Sequence, residues 1–375
     1  MTGSIATVFA GLLAFALVGL AAGESDPLAQ YDVVWDSPGK DHGASMPLGN
    51  GDIGLNAWVE EGGDLQFLIG KTDSWDDNAR LVKVGKVRLR LEPNPFADAK
   101  PFRQTLSLRD ATLRVQAGEG PRRATVQVWV DANHPVVHVA VESASPLAVT
   151  ASIELWRTER QEYKELQCSD IMTGAPADKR QATIIEPDTV LANQAGRIGW
   201  YHHNVKSFGP KLLAEIQGLT GFKQEDPLLH RTFGAVITAA KGERVDDRSL
   251  RSPSATAHQF SIFVLTRHPS TPQEWLAEMD KTVARVEAEG FAARRAAHER
   301  WWAEFWGRSW IRSWLAEGAE AASASPVPAN AHPVCIGTDQ KGGTKFAGEL
   351  GRVSIFGKAL SEAEVQALSK RDRQT

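Results

Sequence analysis

The sequence predicts a mainly β protein built on a large antiparallel β-sandwich, followed by linker helices and a short β/helix tail. Three observations carry that expectation. Apolar residues recur at every second position in many short runs: Val87, Leu89 and Leu91; Val126, Val128 and Val130; Val137, Val139 and Val141; Val149, Ala151, Ile153 and Leu155; Phe260, Ile262 and Val264. Period two is the mark of strands with one face buried, and many such strands need a second layer to cover them. Turn-forming clusters punctuate the runs at Gly49-Asn50-Gly51-Asp52, Pro93-Asn94-Pro95 and Ala132-Asn133-His134-Pro135. The texture then changes at Pro272, where the spacing turns helical.

Taken in order, residues 1–23 are expected to be a signal peptide. Ile5 to Leu20 is an uncharged apolar run, and Ala21, Ala22 and Gly23 suit a signal peptidase ahead of Glu24. Met1 to Ser4 carries no Lys or Arg, so an uncleaved anchor is the alternative. Cleavage implies a secreted or periplasmic chain with no membrane attachment. Residues 31–270 form the sandwich, and 271–316 the linker helices. Pro272-Gln273-Glu274-Trp275 opens a helix through Leu276, Met279, Val283 and Val286, which Gly290 interrupts; a second helix runs from Phe291 to about Trp306. Trp302, Trp306, Trp310 and Trp314 recur every four residues, with Trp301 and Phe305 beside them. Such a stripe must face another layer, and if left exposed it predicts association. Residues 317–333, rich in Ala, Ser and Pro, form a linker. Residues 334–372 alternate again and end in a small helix with a Ser361/Glu364 capping box. So short a piece hardly closes a core of its own, and it is expected to be a fragment.

Composition narrows the function. The chain has 375 residues, 42% hydrophobic, enough for one sizeable core and a further element. A net charge of −4 from 42 basic and 46 acidic residues leaves no basic stripe, so no nucleic-acid partner is expected. Cys168 and Cys335 are the two cysteines, and unpaired thiols are favoured over a disulfide. No CxxC or His/Cys cluster suggests a metal, and no cofactor is expected. Neither a G-x-S-x-G elbow nor a nucleotide-binding glycine loop occurs in a suitable strand-to-helix setting.

Five blocks in order resemble a known family: Ser45-Met46-Pro47-Leu48-Gly49-Asn50-Gly51-Asp52-Ile53-Gly54-Leu55-Asn56, Ile69-Gly70-Lys71-Thr72-Asp73-Ser74-Trp75-Asp76, Trp129-Val130-Asp131-Ala132-Asn133-His134-Pro135, Trp200-Tyr201-His202-His203-Asn204 and Asp226-Pro227-Leu228-Leu229-His230-Arg231-Thr232-Phe233-Gly234. The first resembles the front-end signature of glycoside hydrolase family 95. Together they resemble the bacterial N-terminal domain of unknown function 5703, over roughly residues 31 to 314. The resemblance implies a sandwich of the galactose-mutarotase-like supersandwich kind that precedes helices and an (α/α)6 catalytic barrel, and no barrel sequence follows here. The tail, with Ile336-Gly337-Thr338-Asp339 and Phe346-Ala347-Gly348-Glu349-Leu350, resembles the end of a laminin-G-like, concanavalin-type jelly roll.

Glycoside hydrolysis needs two carboxylates astride a glycosidic bond, and Asp52, Asp73, Asp76, Asp77 and Asp131 lie near these blocks. For Asp52 and Asp131 the favoured reading is that each caps its turn through Asx-type hydrogen bonds. Asn50 and Asp52 in the turn, and Lys71, Asp73 and Trp75 in alternation, are candidate sugar-binding groups, because a pyranose face stacks on an indole while its hydroxyls meet charged groups. A packed indole beside a surface ion pair is the alternative. Trp200, His202 and Asn204 form a second alternating trio, candidates for lining a substrate cleft. The leading expectation is a carbohydrate-binding accessory sandwich derived from a glycoside hydrolase, inactive alone. An active glycosidase working through two carboxylates and a truncated structural relic are the alternatives.

Overall fold

Alternation in the sequence becomes alternation of burial. The structure, a computed structural model, describes residues 28–97, 100–163, 182–207, 209–222 and 225–308. The expected leader, the cysteines, Trp310 and Trp314, the Ala/Ser/Pro linker and the jelly-roll-like tail lie outside those residues. The strands are β1 (Val33–Trp35), β2 (Met46–Gly49), β3 (Ile53–Val59), β4 (Leu65–Lys71), β5 (Gly85–Glu92), β6 (Phe102–Ser107), β7 (Thr112–Ala117), β8 (Ala124–Val130) and β9 (Val136–Glu154). After these come β10 (Gln161–Tyr163), β11 (Thr183–Ile185), β12 (Thr189–Val190), β13 (Arg197–His203), β14 (Thr232–Ala239), β15 (Glu243–Arg244) and β16 (Ser249–Arg267).

Two long strands organise the sandwich. The first half of β9 pairs with β8 and with the second half of β16; its second half pairs with β5 and with the first half of β16. One leaf therefore runs β1-β6-β7-β8-β9-β16-β14-β13-β12, and β2, β3, β4 and β5 with β15 extend the other, all antiparallel. The change of partner falls at Pro146 in β9, and the register of β16 shifts around Pro253, between Ser252 and Ala257. Proline offers no N–H to a ladder, so an irregular step at these positions lets each strand bend from one leaf into the other. Between the leaves lies the core, where Phe67, Ile69, Leu89, Val128, Val139, Phe260 and Ile262 are fully buried. Each such side chain contributes about 1.5–3 kcal/mol of burial.

Helices α2 (Pro272–Ala288) and α3 (Phe291–Arg308) cover the outer face of the first leaf. Thr271 and Glu274 form a capping box that starts α2, with Pro272 in its first turn, and Gly290, at φ +77°, follows it. Its Trp275, Met279, Val283 and Val286 pack on Val136, Val236 and Phe263. On α3, Phe291 meets Trp129 and His138 edge-on, and the Trp306 indole donates to the Leu108 carbonyl at 2.7 Å. Trp301, Trp302, Phe305 and Trp306 are half-buried and stack on one another, so this part of the aromatic stripe is packed rather than bare. A short helix, α1 (Pro210–Ile216), was not expected from the sequence.

One glycine shows how tightly strands meet. Gly234 pairs with Tyr201, and a Cβ there would fall 2.1 Å from the Trp200 carbonyl oxygen and 2.7 Å from the Tyr201 Cα. Backbone cannot move aside as a side-chain tip can. Gly234→Ala is expected to cost about 1–3 kcal/mol, read as a lowered urea midpoint with unchanged slope. Gly54→Ala, where the added atom meets nothing within 4 Å, is the control and should melt like the parent.

Candidate functional site

The turn between β2 and β3 is built by Asn50. Its Oδ1 accepts from the backbone N–H groups of Asp52 (3.0 Å) and Ile53 (2.8 Å), and Gly51 sits at φ +91°, a conformation that favours glycine. The Asn50 amide donates to the Asp131 carbonyl at 2.8 Å, tying this turn to the β8–β9 connection. Asn50, not Asp52, is thus the capping residue. Asp52 instead accepts from Lys71 Nζ at 2.7 Å and Thr72 Oγ1 at 2.8 Å. Asp131 does cap its own turn, accepting through Oδ1 from the N–H groups of Asn133 and His134.

Lys71 also reaches Asp73 at 2.9 Å; its side chain is 7% exposed while those of Asp52 and Asp73 are near 44% and 43%. One ammonium braces both acids. Beside them lies an open groove of about 450 Å³, floored by Gly49, Gly54 and Gly70 on neighbouring strands and walled by Lys71, Thr72 and Lys83.

The segment from Thr72 to Val84 leads from this groove to another. Asp76 Oδ1 accepts from the N–H groups of Asn78 and Arg80, and the single Ser74 O–H is shared between the Val82 carbonyl at 2.7 Å and the Lys71 carbonyl at 2.9 Å. The Asn204 amide donates to the carbonyls of Trp75 and Leu228, both at 3.0 Å, and Arg231 Nη1 donates to the Asp73 carbonyl at 3.1 Å. Clamped at its backbone, Trp75 turns its indole outward and is 38% exposed. It lines a groove of about 640 Å³ with Leu213, Gln217, Glu225, Leu228 and Arg231. The expectation that Lys71 and Trp75 share one face is therefore corrected: irregular backbone after β4 breaks the strand alternation, and the two side chains line different grooves.

Trp200 and His202 on β13, and Asn204 just past its end, do fall on one side, but that side is enclosed. Trp200 and Asn204 are fully buried and His202 nearly so. Trp200 donates to the Val84 carbonyl at 2.8 Å. His202 Nδ1 lies 3.0 Å from Asp188, whose carboxylate also receives Arg157 Nε at 2.8 Å, and Nε2 lies 3.4 Å from Asp77. Burial alone would lower this imidazole, yet its hydrogen bonds to Asp188 and Asp77 prevail and hold it above the ordinary histidine range. In this chain the trio positions loops instead of lining an open cleft.

A further buried cluster sits beneath α3. His138 Nδ1 is 3.1 Å from Ser261 Oγ, and its Nε2 makes a long 3.4 Å approach to Asp131. Asp, His and Ser in a row invite comparison with a hydrolytic triad. The ring is reversed, however, with serine on Nδ1 and aspartate on Nε2, and Asp131 and His138 are fully buried. Burial pushes the His138 imidazole down, more than Asp131 raises it; burial would raise Asp131, but His138 and the Asn133 N–H keep it low. No substrate reaches this cluster, and it fastens the helix. Among the described residues no group of three or more His, Cys, Asp or Glu is placed to hold a metal.

Over residues 34–311 the sequence matches the family described as domain of unknown function 5703, in its N-terminal part. The chain belongs to this family. The matched span takes in the strands and helices described, from β1 through α3. No curated protein matches this DUF5703 domain. Among solved structures, one described as "Putative kojibiose phosphorylase from human microbiome" aligns with TM-score 0.38 and 10% identity. The alignment covers 74% of this chain and 38% of that one, so the DUF5703 chain spans well under half of that protein.

Sequence reasoning missed Arg231 and Asp188 as structural partners of the candidate site. Arg231 lies inside the motif Asp226 to Gly234, so its position is legible in the sequence, but the direction of its side chain is not. Nothing in the sequence marks Asp188, which reaches His202 only through the fold.

Proposed function

We propose that this DUF5703 domain is an exported carbohydrate-binding accessory sandwich, derived from a glycoside hydrolase and without catalysis of its own. The observation that carries the reading is the exposed Trp75 indole, backbone-clamped at the wall of a groove of about 640 Å³ that also presents Arg231, Glu225 and Gln217. A flat apolar surface ringed by donors and acceptors is what a pyranose, apolar on its faces and hydroxylated at its rim, requires. The hydrolase-like motif order and the apolar leader Ile5 to Leu20 support derivation and export.

The test is a glycan-array screen of the purified chain beside sugar-release assays on fucosylated and galactosylated substrates. Binding without release is the expected result, and Trp75→Ala should weaken it about tenfold with an unchanged melting profile, since the indole is outside the core. Release of sugar that disappears in Asp52→Asn or Asp73→Asn would instead make the chain a glycosidase. Silence in both assays would leave a structural relic.

A further inference from the structure

We propose that the Trp75 groove selects acidic saccharides, with the Arg231 guanidinium as the group that meets the anion; this rests on the carbohydrate-binding reading above and specifies its ligand class. Several other buried or half-buried cations of the sandwich are matched by carboxylates: Lys71 with Asp52 and Asp73, Arg80 with Asp76, Arg157 with Asp188, Arg197 with Asp280. Arg231 differs. Its Nε and Nη2 donate to the Pro227 carbonyl at 3.0 and 2.8 Å, and Nη1 donates to the Asp73 carbonyl at 3.1 Å. Carbonyl oxygens hold the fork rigid without neutralising it. Those contacts use three of the five guanidinium N–H groups, leaving one on each terminal nitrogen.

Among the described residues two guanidinium groups are shifted down, and burial is the leading cause in both: Arg231 and Arg294. Removal from water without a close counter-charge explains it, as the Asp73 carboxylate acts on Arg231 only from a distance and is itself bonded to Lys71. Arg294 is 4% exposed and bonded to the Val286 carbonyl within the α2–α3 connection. Arg231, by contrast, is half-buried on the wall of an open groove. Glu225 lines that groove as well, but it is exposed, makes no ion pair with Arg231, and water screens its charge. A pre-positioned, partly desolvated and unneutralised guanidinium beside an exposed indole fits a sugar ring carrying a carboxylate or sulfate, through charge-assisted hydrogen bonds that neutral hydroxyls do not supply.

The experiment is calorimetric titration of the whole chain with three probes on comparable backbones: oligouronates, sulfated oligosaccharides and neutral oligosaccharides. Wild type is expected to bind an acidic probe about tenfold tighter than the neutral one, and the carboxylated and sulfated arms say which anion is preferred. Arg231→Gln should reduce acidic binding to the neutral level and leave neutral binding in place, while Arg231→Lys should keep part of the preference. The preference should also shrink in wild type as salt rises, a readout independent of any effect of substitution on folding. Equal binding of acidic and neutral probes, or an acid preference that survives both Arg231→Gln and high salt, overturns the proposal and leaves the sugar-binding reading standing. Absence of binding to all three overturns both.

Discussion

Replacing His202 by Ala is expected to destabilise the fold by about 3–5 kcal/mol, because it removes one partner from a buried charged cluster. The imidazole lies between Asp188 and Asp77, both with side chains 5% exposed or less, and Arg157 answers only the first of them. Without His202, Asp77 keeps its bond from the Lys206 N–H but loses its nearest cation. The pH dependence follows from the direction of the shift. The folded imidazole is held above its unfolded value, so the folded state binds the proton more tightly. Its contribution is fully present below about pH 6.5, the unfolded value, and is lost as pH rises through the higher folded value. Urea melts of wild type and His202→Ala across pH 5 to 9 should therefore show a gap that is wide in acid and narrows toward alkali. A gap independent of pH would mean that the ring acts through packing alone.

Acid should act oppositely on the latch that holds α3. His298 Nδ1 accepts from the Ala132 N–H at 3.2 Å, and Nε2 donates to the Asp110 carbonyl at 2.8 Å. Both nitrogens are thus assigned by backbone partners, and the ring is neutral; a second proton would confront the Ala132 N–H. Burial keeps this imidazole below the ordinary histidine range, as it does His138 beside it. Asp131, His134, Glu289, Arg294, Arg295 and Asp110 complete the titratable and charged surroundings. With folded values depressed, the unfolded chain binds more protons, so these two rings weaken the fold progressively as pH falls below about 6.5. His298→Phe keeps an aromatic ring but strands the Ala132 N–H and the Asp110 carbonyl, at about 1–3 kcal/mol each. The variant should melt earlier at pH 8 and lose less than wild type between pH 8 and 5. Cleavage near α3 by a protease at both pH values would show whether that segment opens first.

Much of the fold could be read from the chain because it is local. Period two in the runs of β5, β8, β9 and β16 dictates which side chains face inward, whatever the partners, and those residues fill the core. Thr271, Pro272 and Glu274 determine where α2 starts through bonds spanning three residues, and Gly290 ends it for the same local reason. Asn50 and Gly51 likewise determine a turn. Only the tertiary structure decided that β9 and β16 cross between leaves, since Pro146 and Pro253 mark irregular steps without naming the new partner. It also decided the site. Alternation predicts that Lys71, Asp73 and Trp75 face one way, but it holds only while the strand does, and beyond Lys71 contacts from Asn204 and Arg231, more than a hundred residues away, set the direction of each side chain. Whether Trp200, His202 and Asn204 lined a cleft or lay beneath loops was equally beyond alternation. Period two separates two faces, and what covers each face is chosen by other segments of the chain: here by Asp77 and Val84, more than a hundred residues away, and by Asp188, 14 residues before His202.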